Sequence, residues 1–183
     1  LHSPWGAPVM LLRKAGNRPG LQNQWRIVCD YRGLNEITKK STWTPPSIRD
    51  ITDDLVGCKY FSKADNSGGF YQLPIAEEDR DKTTFRIRTQ NGMEAYRFTV
   101  SSLGLTGCPS SYQSFMEKVI NGLQGVHIYL DDTVFFSKTW EEHLKTLEEA
   151  FKRFAENKIY LHPLKCEFGV TEMEYLGLKI SHN

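Results

Sequence analysis

Two short apolar runs, Val126 to Leu130 and Val134 to Ser137, are separated only by Asp131, Asp132 and Thr133. This limits the fold more than any other feature. Runs of this length, rich in β-branched and aromatic residues, favour strands. Three residues are too few for a helical crossover, so the runs must return as an antiparallel hairpin. Its tip then carries two adjacent carboxylates, which repel unless solvent or a cation compensates them. On residue type alone an Asp-Asp turn is more often solvated than metal-bound. A second acidic group ends another strand, Lys59 to Asp65, which runs into the turn Asn66 to Gly69. Asp65 by itself could cap a helix. If the two strands are neighbours, however, Asp65 and Asp131 lie side by side. Converging carboxylates are hard oxygen ligands suited to Mg²⁺. Two such ions about 3.5–4 Å apart activate an attacking hydroxyl and stabilise a leaving oxygen. That chemistry is phosphoryl or nucleotidyl transfer.

The remaining pattern is mixed. Pro8 to Arg13 and Trp25 to Asp30 read as strands, joined by a polar, Gly-containing loop from Ala15 to Gln24. Ser47 caps a short helix, with Asp50 three residues on. Thr83 to Arg88 and Glu94 to Val100 form a strand pair around Asn91-Gly92. Pro109 and Ser110 open a helix carrying Phe115, Val119 and Leu123. Thr139 and Glu142 form a capping box before a helix whose Leu144, Leu147, Phe151 and Phe154 face the core. Tyr175 to Ile180 is a last strand. Hairpins without strict βαβ alternation indicate an α+β fold.

Composition excludes several classes. The 183 residues are 39% hydrophobic and 12% aromatic, enough for a core and against disorder. No apolar stretch approaches the ~18–20 residues of a membrane span, so no membrane partner is expected. Twenty-three Lys and Arg against 22 Asp and Glu give a net charge of +1, so any grip on nucleic acid depends on local patches. Cys29, Cys58, Cys108 and Cys166 are widely spaced, which disfavours zinc or a disulfide framework and suggests reduced thiols in an intracellular protein.

Seven segments, in order, resemble the reverse transcriptases of Ty3/gypsy-type LTR retrotransposon polyproteins. They are SPWGAPV (Ser3 to Val9), WRIVCDYRGLN (Trp25 to Asn35), YFSKADNSGGFYQL (Tyr60 to Leu73), LGLTGCPSSYQ (Leu103 to Gln113), YLDD with FSKTWEEH (Tyr129 to His143), KCEFG (Lys165 to Gly169) and EYLGLKIS (Glu174 to Ser181). The resemblance implies a polymerase right hand: a palm with an antiparallel sheet backed by helices, and a fingers subdomain. Fingers would span about 1–40 and 74–106, and palm about 41–73 and 107–183. The thumb is absent from this sequence. Thumb, connection and RNase H regions are expected in the full polyprotein, located in the cytoplasm within a virus-like particle.

The resemblance also implies roles. Asp65, Asp131 and Asp132 would be catalytic carboxylates holding two Mg²⁺ ions, with Mn²⁺ a possible substitute. The Asn66 carbonyl would be a further metal ligand. Lys165 would be the acid that protonates pyrophosphate. Phe70 would be a steric gate against a 2′-hydroxyl. Lys14, Arg26, the amides of Gly68 and Gly69, and the Leu103-Gly104 segment would bind the deoxynucleoside triphosphate. Tyr129, Leu130, Tyr175, Leu176 and Gly177 would belong to the palm and primer motifs. The partners would be an RNA or DNA template with its primer.

Some positions depart from the family pattern. Ser102-Leu103 replaces a common Pro-Phe, Gly107-Cys108 replaces Asn-Ala, and the polar Asn66 sits where the family buries an apolar side chain. Two rivals follow. One is a decayed or domesticated remnant acting as an interaction module. The other is an RNA-templated RNA polymerase, which the bulky Phe70 disfavours.

Overall fold

A computed structural model of the chain describes residues 3–13, 25–42, 44 and 47–182. In chain order its elements are β1 (Val9–Arg13), β2 (Trp25–Cys29), α1 (Arg32–Ile37), α2 (Ile48–Leu55), β3 (Tyr60–Asp65), α3 (Glu77–Arg80), β4 (Phe85–Thr89), β5 (Gly92–Tyr96), α4 (Cys108–Ile120), β6 (Val126–Tyr129), β7 (Asp132–Ser137), α5 (Trp140–Glu156), β8 (Glu167–Val170), β9 (Glu172–Tyr175) and β10 (Leu178–Ser181). The chain divides into two compact units, Leu1–Ser41 with Leu73–Cys108, and Thr42–Gln72 with Pro109–Asn183. No helix among the described residues is long and apolar enough to cross a membrane.

The first unit holds two antiparallel ribbons, β1–β2 and β4–β5. Cys29, Tyr31 and Phe85 are its buried centre, with Leu34, Ile87 and Phe98 packed around them. The Tyr31 hydroxyl donates to the Thr83 carbonyl at 2.9 Å, so this buried ring keeps its polar end satisfied.

The second unit is built on one antiparallel sheet in the order β6-β7-β3-β8. Successive residues of β7 point to opposite faces. Val134 and Phe136 enter a core with Ile51, Leu55, Phe61, Met173 and Tyr175. Phe135 meets the ring of Phe151 on α5 edge-on, at 6.2 Å between centroids. Because both faces are covered, every residue from Thr133 to Ser137 is buried, and each large apolar one contributes about 1.5–3 kcal/mol.

Four sequence expectations need correction. The strand expected over Glu94 to Val100 ends at Tyr96. The helix expected to reach Leu123 ends at Ile120, ahead of Gly122 at φ 79°. The last strand is a hairpin, because Leu176 and Gly177 have φ of 51° and 77° and turn β9 back into β10. On α5 the buried positions are His143, Leu147, Ala150 and Phe154, whereas Leu144 is 47% exposed. The polar His143 takes the inward place because Ser62 and Ser137 hydrogen-bond its ring, at 2.7 and 3.3 Å. The Thr139–Glu142 capping box is present at the start of α5.

Candidate active site

The carboxylates meet at one end of the second unit's sheet, in a register one residue away from the expected one. Tyr129 pairs with Asp132 across the hairpin, so the turn is Leu130-Asp131 and Asp132 already belongs to β7. Asp65 of β3 stands opposite Asp132 rather than Asp131. Asp131 is placed next to Asp65 through the turn instead: its carbonyl accepts the Asn66 amide at 3.1 Å. A Cβ on Gly69 would stand 3.3 Å from the Asp131 Cβ, so the glycine lets the two turns approach closely. Its φ of 42° is also one that other residues adopt reluctantly.

What sets this register is Gln113, which the sequence reasoning did not single out. Strand β6 lies at the edge of the sheet, with open backbone groups facing α4. The buried Gln113 side chain fills that edge as a neighbouring strand would. Its Nε2 donates to the Ile128 carbonyl at 2.9 Å, and its Oε1 accepts the Leu130 amide at 2.8 Å. Leu130 is thereby held at φ 57°, a backbone conformation that side chains rarely adopt. The visible signal was a Gln on an otherwise apolar helix face, four residues from Glu117, which accepts the second Nε2 hydrogen at 3.0 Å.

Two lysines balance part of the negative charge. Lys63 lies 3.4 Å from Asp132, and Lys165 lies 3.1 Å from Asp65. Lys165 ends the short helical turn Pro163–Lys165. That segment is held to the sheet by the His162 amide, which donates to the Asp65 carbonyl at 2.9 Å. Gln72 adds a second tie. It donates to the carbonyls of Ser67 and Tyr160 and accepts the Tyr160 amide at 2.7 Å. Burial pushes the Asp132 carboxyl above its usual range, and the charges of Asp131 and Asp65 push it further, against the pull of Lys63. The site therefore carries more negative charge than its lysines offset, and its donors are hard oxygens. The residues present suit a divalent cation. Among the described residues, however, no three such side chains already close around one point.

The other expected site residues fall as follows. Phe70 is half-buried and meets the buried Tyr112 ring edge-on, with centroids 5.5 Å apart. The Gly69 amide, expected to face a triphosphate, donates to the Asn66 carbonyl at 3.0 Å and closes the turn. Gly68 has φ 75° in the same turn. Tyr129 ends β6 and Tyr175 ends β9, buried, with no hydrogen-bond partner for its hydroxyl among the described residues. Arg26 is exposed on β2 of the first unit. Leu103 and Gly104 also belong to the first unit. Gly104 has φ 100° and lies under Cys29, where a Cβ would come 3.0 Å from that carbonyl. Asn35, which the sequence reasoning assigned no role, braces this loop: it donates to the Gly104 carbonyl at 2.8 Å and accepts the Thr106 amide at 2.9 Å. Lys14 lies outside the described residues.

Comparison with known proteins identifies the family and the fold. A family model described as "Reverse transcriptase (RNA-dependent DNA polymerase)" matches residues 12–180. The retrovirus-related Pol polyprotein from transposon 412 of Drosophila melanogaster is 35% identical over 179 residues, covering 97% of this chain and 14% of that protein. The polyprotein from transposon gypsy, also of Drosophila melanogaster, is 30% identical over 181 residues, covering 98% and 17%. The foamy viral protease–reverse transcriptase, solved in complex with double-stranded DNA, superposes with a TM-score of 0.86 at 27% identity, over 100% of this chain and 30% of that one. The chain thus spans a small part of the relatives it matches.

Proposed function

This chain belongs to the reverse transcriptase (RNA-dependent DNA polymerase) family, and from that premise we propose that it adds deoxynucleotides to a primer 3′-hydroxyl, directed by an RNA or DNA template. We assign fingers to the first unit and palm to the second. The observation that carries the reading is the sheet end at which Asp65 stands opposite Asp132 while Asp131 occupies the adjoining turn.

Asp65, Asp131, Asp132 and the second lone pair of the Asn66 carbonyl would hold two Mg²⁺ ions. Such a pair of ions would supply activation of the attacking hydroxyl and charge stabilisation at the phosphates. The chain's own residues do the rest. The sheet register fixes the backbone from which the carboxylates project, which limits the reorganisation required during reaction. Lys165 is paired with Asp65 in this state. Its ammonium would be the proton donor for the departing pyrophosphate. The Phe70 ring excludes a 2′-hydroxyl by volume.

The test is primer extension on an RNA template with Mg²⁺, with Asp131→Asn alongside and both proteins checked for cooperative melting. Extension that disappears in the folded mutant supports the assignment. Mutant extension at the wild-type rate refutes it. A folded wild-type chain that neither extends primer nor gains melting temperature with Mg²⁺ would instead be a decayed remnant. The buried, polar Asn66 and the Ser102-Leu103 departure are what favour that second reading.

A further inference from the structure

Asn66 is 2% exposed at the end of β3. Its Nδ2 donates to the Tyr112 hydroxyl at 2.8 Å. Its Oδ1 is buried without a hydrogen-bond partner among the described residues. An unpaired buried carbonyl is unfavourable, and an apolar residue here would avoid it. The chain therefore carries a local stability defect while keeping two Nδ2 bonds, a long one to the Met116 sulfur at 4.0 Å and a short one to the Tyr112 hydroxyl. That bond fixes the direction of Tyr112, whose side chain is wholly buried. Burial also keeps the phenol protonated far above its ordinary range, so Tyr112 remains a neutral partner. The Tyr112 and Phe70 rings form a T-shaped pair, with centroids 5.5 Å apart and planes at 85°. Phe70 has no polar atom of its own, so its ring takes its orientation from what it packs against. An apolar pair in place of Asn66 and Tyr112 would hold that surface by dispersion alone, which is non-directional.

We propose that Asn66, acting through Tyr112, is a positioning residue that fixes the Phe70 ring and so sets how strictly this chain rejects ribonucleotides. The proposal rests on the reading of Phe70 as the sugar gate and adds what controls it.

The experiment compares the polyprotein-derived enzyme with its Asn66→Leu, Tyr112→Phe, double and Phe70→Val variants. It measures ribonucleotide against deoxynucleotide incorporation opposite one template base. Each single change at Asn66 or Tyr112 should raise the ribo-to-deoxy ratio about 2- to 10-fold, the reach of one neutral hydrogen bond. The double variant should not exceed the larger single effect, because both act through one ring. An unchanged ratio in both, beside a raised ratio in Phe70→Val, overturns the inference alone. An unchanged ratio in Phe70→Val overturns the gate reading and the inference with it. A ratio that rises only in step with lost melting temperature also overturns the proposal. A readout independent of turnover is the aromatic NMR signal of Phe70, identified by its loss in Phe70→Val. It should shift in Asn66→Leu, and an unmoved signal refutes the coupling.

Discussion

Replacing Gln113 by Leu tests whether one side chain sets the geometry of the carboxylates. Leucine fills nearly the same volume on α4, so packing changes little. What is lost is the pair of bonds to the open edge of β6: Ile128 loses a donor at 2.9 Å and Leu130 an acceptor at 2.8 Å. Ile128 is buried, and Leu130 is partly so. Leaving two such groups unpaired costs about 2–4 kcal/mol. For a chain of this size that is a drop of roughly 2–4 °C in Tm for each kcal/mol. Leu130 then loses the side-chain acceptor that helps hold it at φ 57°, and the adjoining Asp131 is less firmly placed. The assay is urea unfolding, together with the rise in melting temperature on Mg²⁺ addition. Gln113→Leu should lower the urea midpoint and shrink the Mg²⁺ response. Glu117→Gln, which touches only the other Nε2 hydrogen, should leave both nearly unchanged. A Gln113→Leu protein with wild-type stability and an undiminished Mg²⁺ response would refute the argument.

Three further outcomes follow from the same coordinates. Burial holds the His143 imidazole below its usual value, so under acid the unfolded chain binds a proton that the folded chain refuses. Stability should fall as pH drops from about 6.5 toward that lower value, by at most ~1.4 kcal/mol per pH unit. His143→Gln should flatten the urea midpoint between pH 7 and 5.5, and parallel curves would contradict this. Gly125 has φ 73°, and a Cβ there would come 2.5 Å from the Phe136 carbonyl oxygen, so Gly125→Ala should cost about 2–5 kcal/mol in urea unfolding. Gly57→Ala, at φ 78° with open space around it, should cost only about 1–2 kcal/mol. Thr139→Ala removes the capping box of α5. It should cost about 1 kcal/mol and speed amide exchange in the first turn of that helix alone.

The hairpin between β6 and β7 was legible because two apolar runs with three residues between them admit no other connection. Its register was not. Leu130 and Thr133 are both tolerable in a strand or a turn, and the choice is made by Gln113, seventeen residues earlier in the sequence. The error had a consequence: it placed Asp131 rather than Asp132 opposite Asp65. On α5 the apolar spacing was read through Leu144, while His143 holds the inward position. Hydrophobic patterning assigns a histidine outward, and only its hydroxyl partners on β3 and β7 reverse that. The Leu176-Gly177 turn was missed because a leucine at positive φ carries no turn signal of its own. The acidic cluster itself was legible as motifs, since carboxylates at strand ends need little tertiary context to be recognised.

Why the fold tolerates three carboxylates at one sheet end follows from where its lysines sit. Lys63 stands on β3 itself, and its ammonium reaches Asp132 across the strand pair. Lys165 arrives from the turn before β8 and reaches Asp65. Asp131 has no such ion pair with a lysine or arginine among the described residues. It sits instead at the turn, beneath Gly69. The two pairs differ in exposure: the Lys63 side chain is 22% exposed, whereas Lys165 is 59% exposed. An exposed ammonium on a four-carbon stem is weakly held and readily displaced, while one half-buried beside the strand is not. The structure therefore assigns the two lysines different parts. Lys63 is a permanent counter-charge that lowers the cost of ionising Asp132, whose carboxyl burial still pushes upward. On the proposed function, Lys165 would be the more readily displaced partner, giving up Asp65 to a divalent cation. Lys63→Met should therefore destabilise the metal-free fold more than Lys165→Met does, and added Mg²⁺ should restore most of what Lys63→Met loses. If urea midpoints without metal fall equally in the two variants, the difference in exposure has no such meaning.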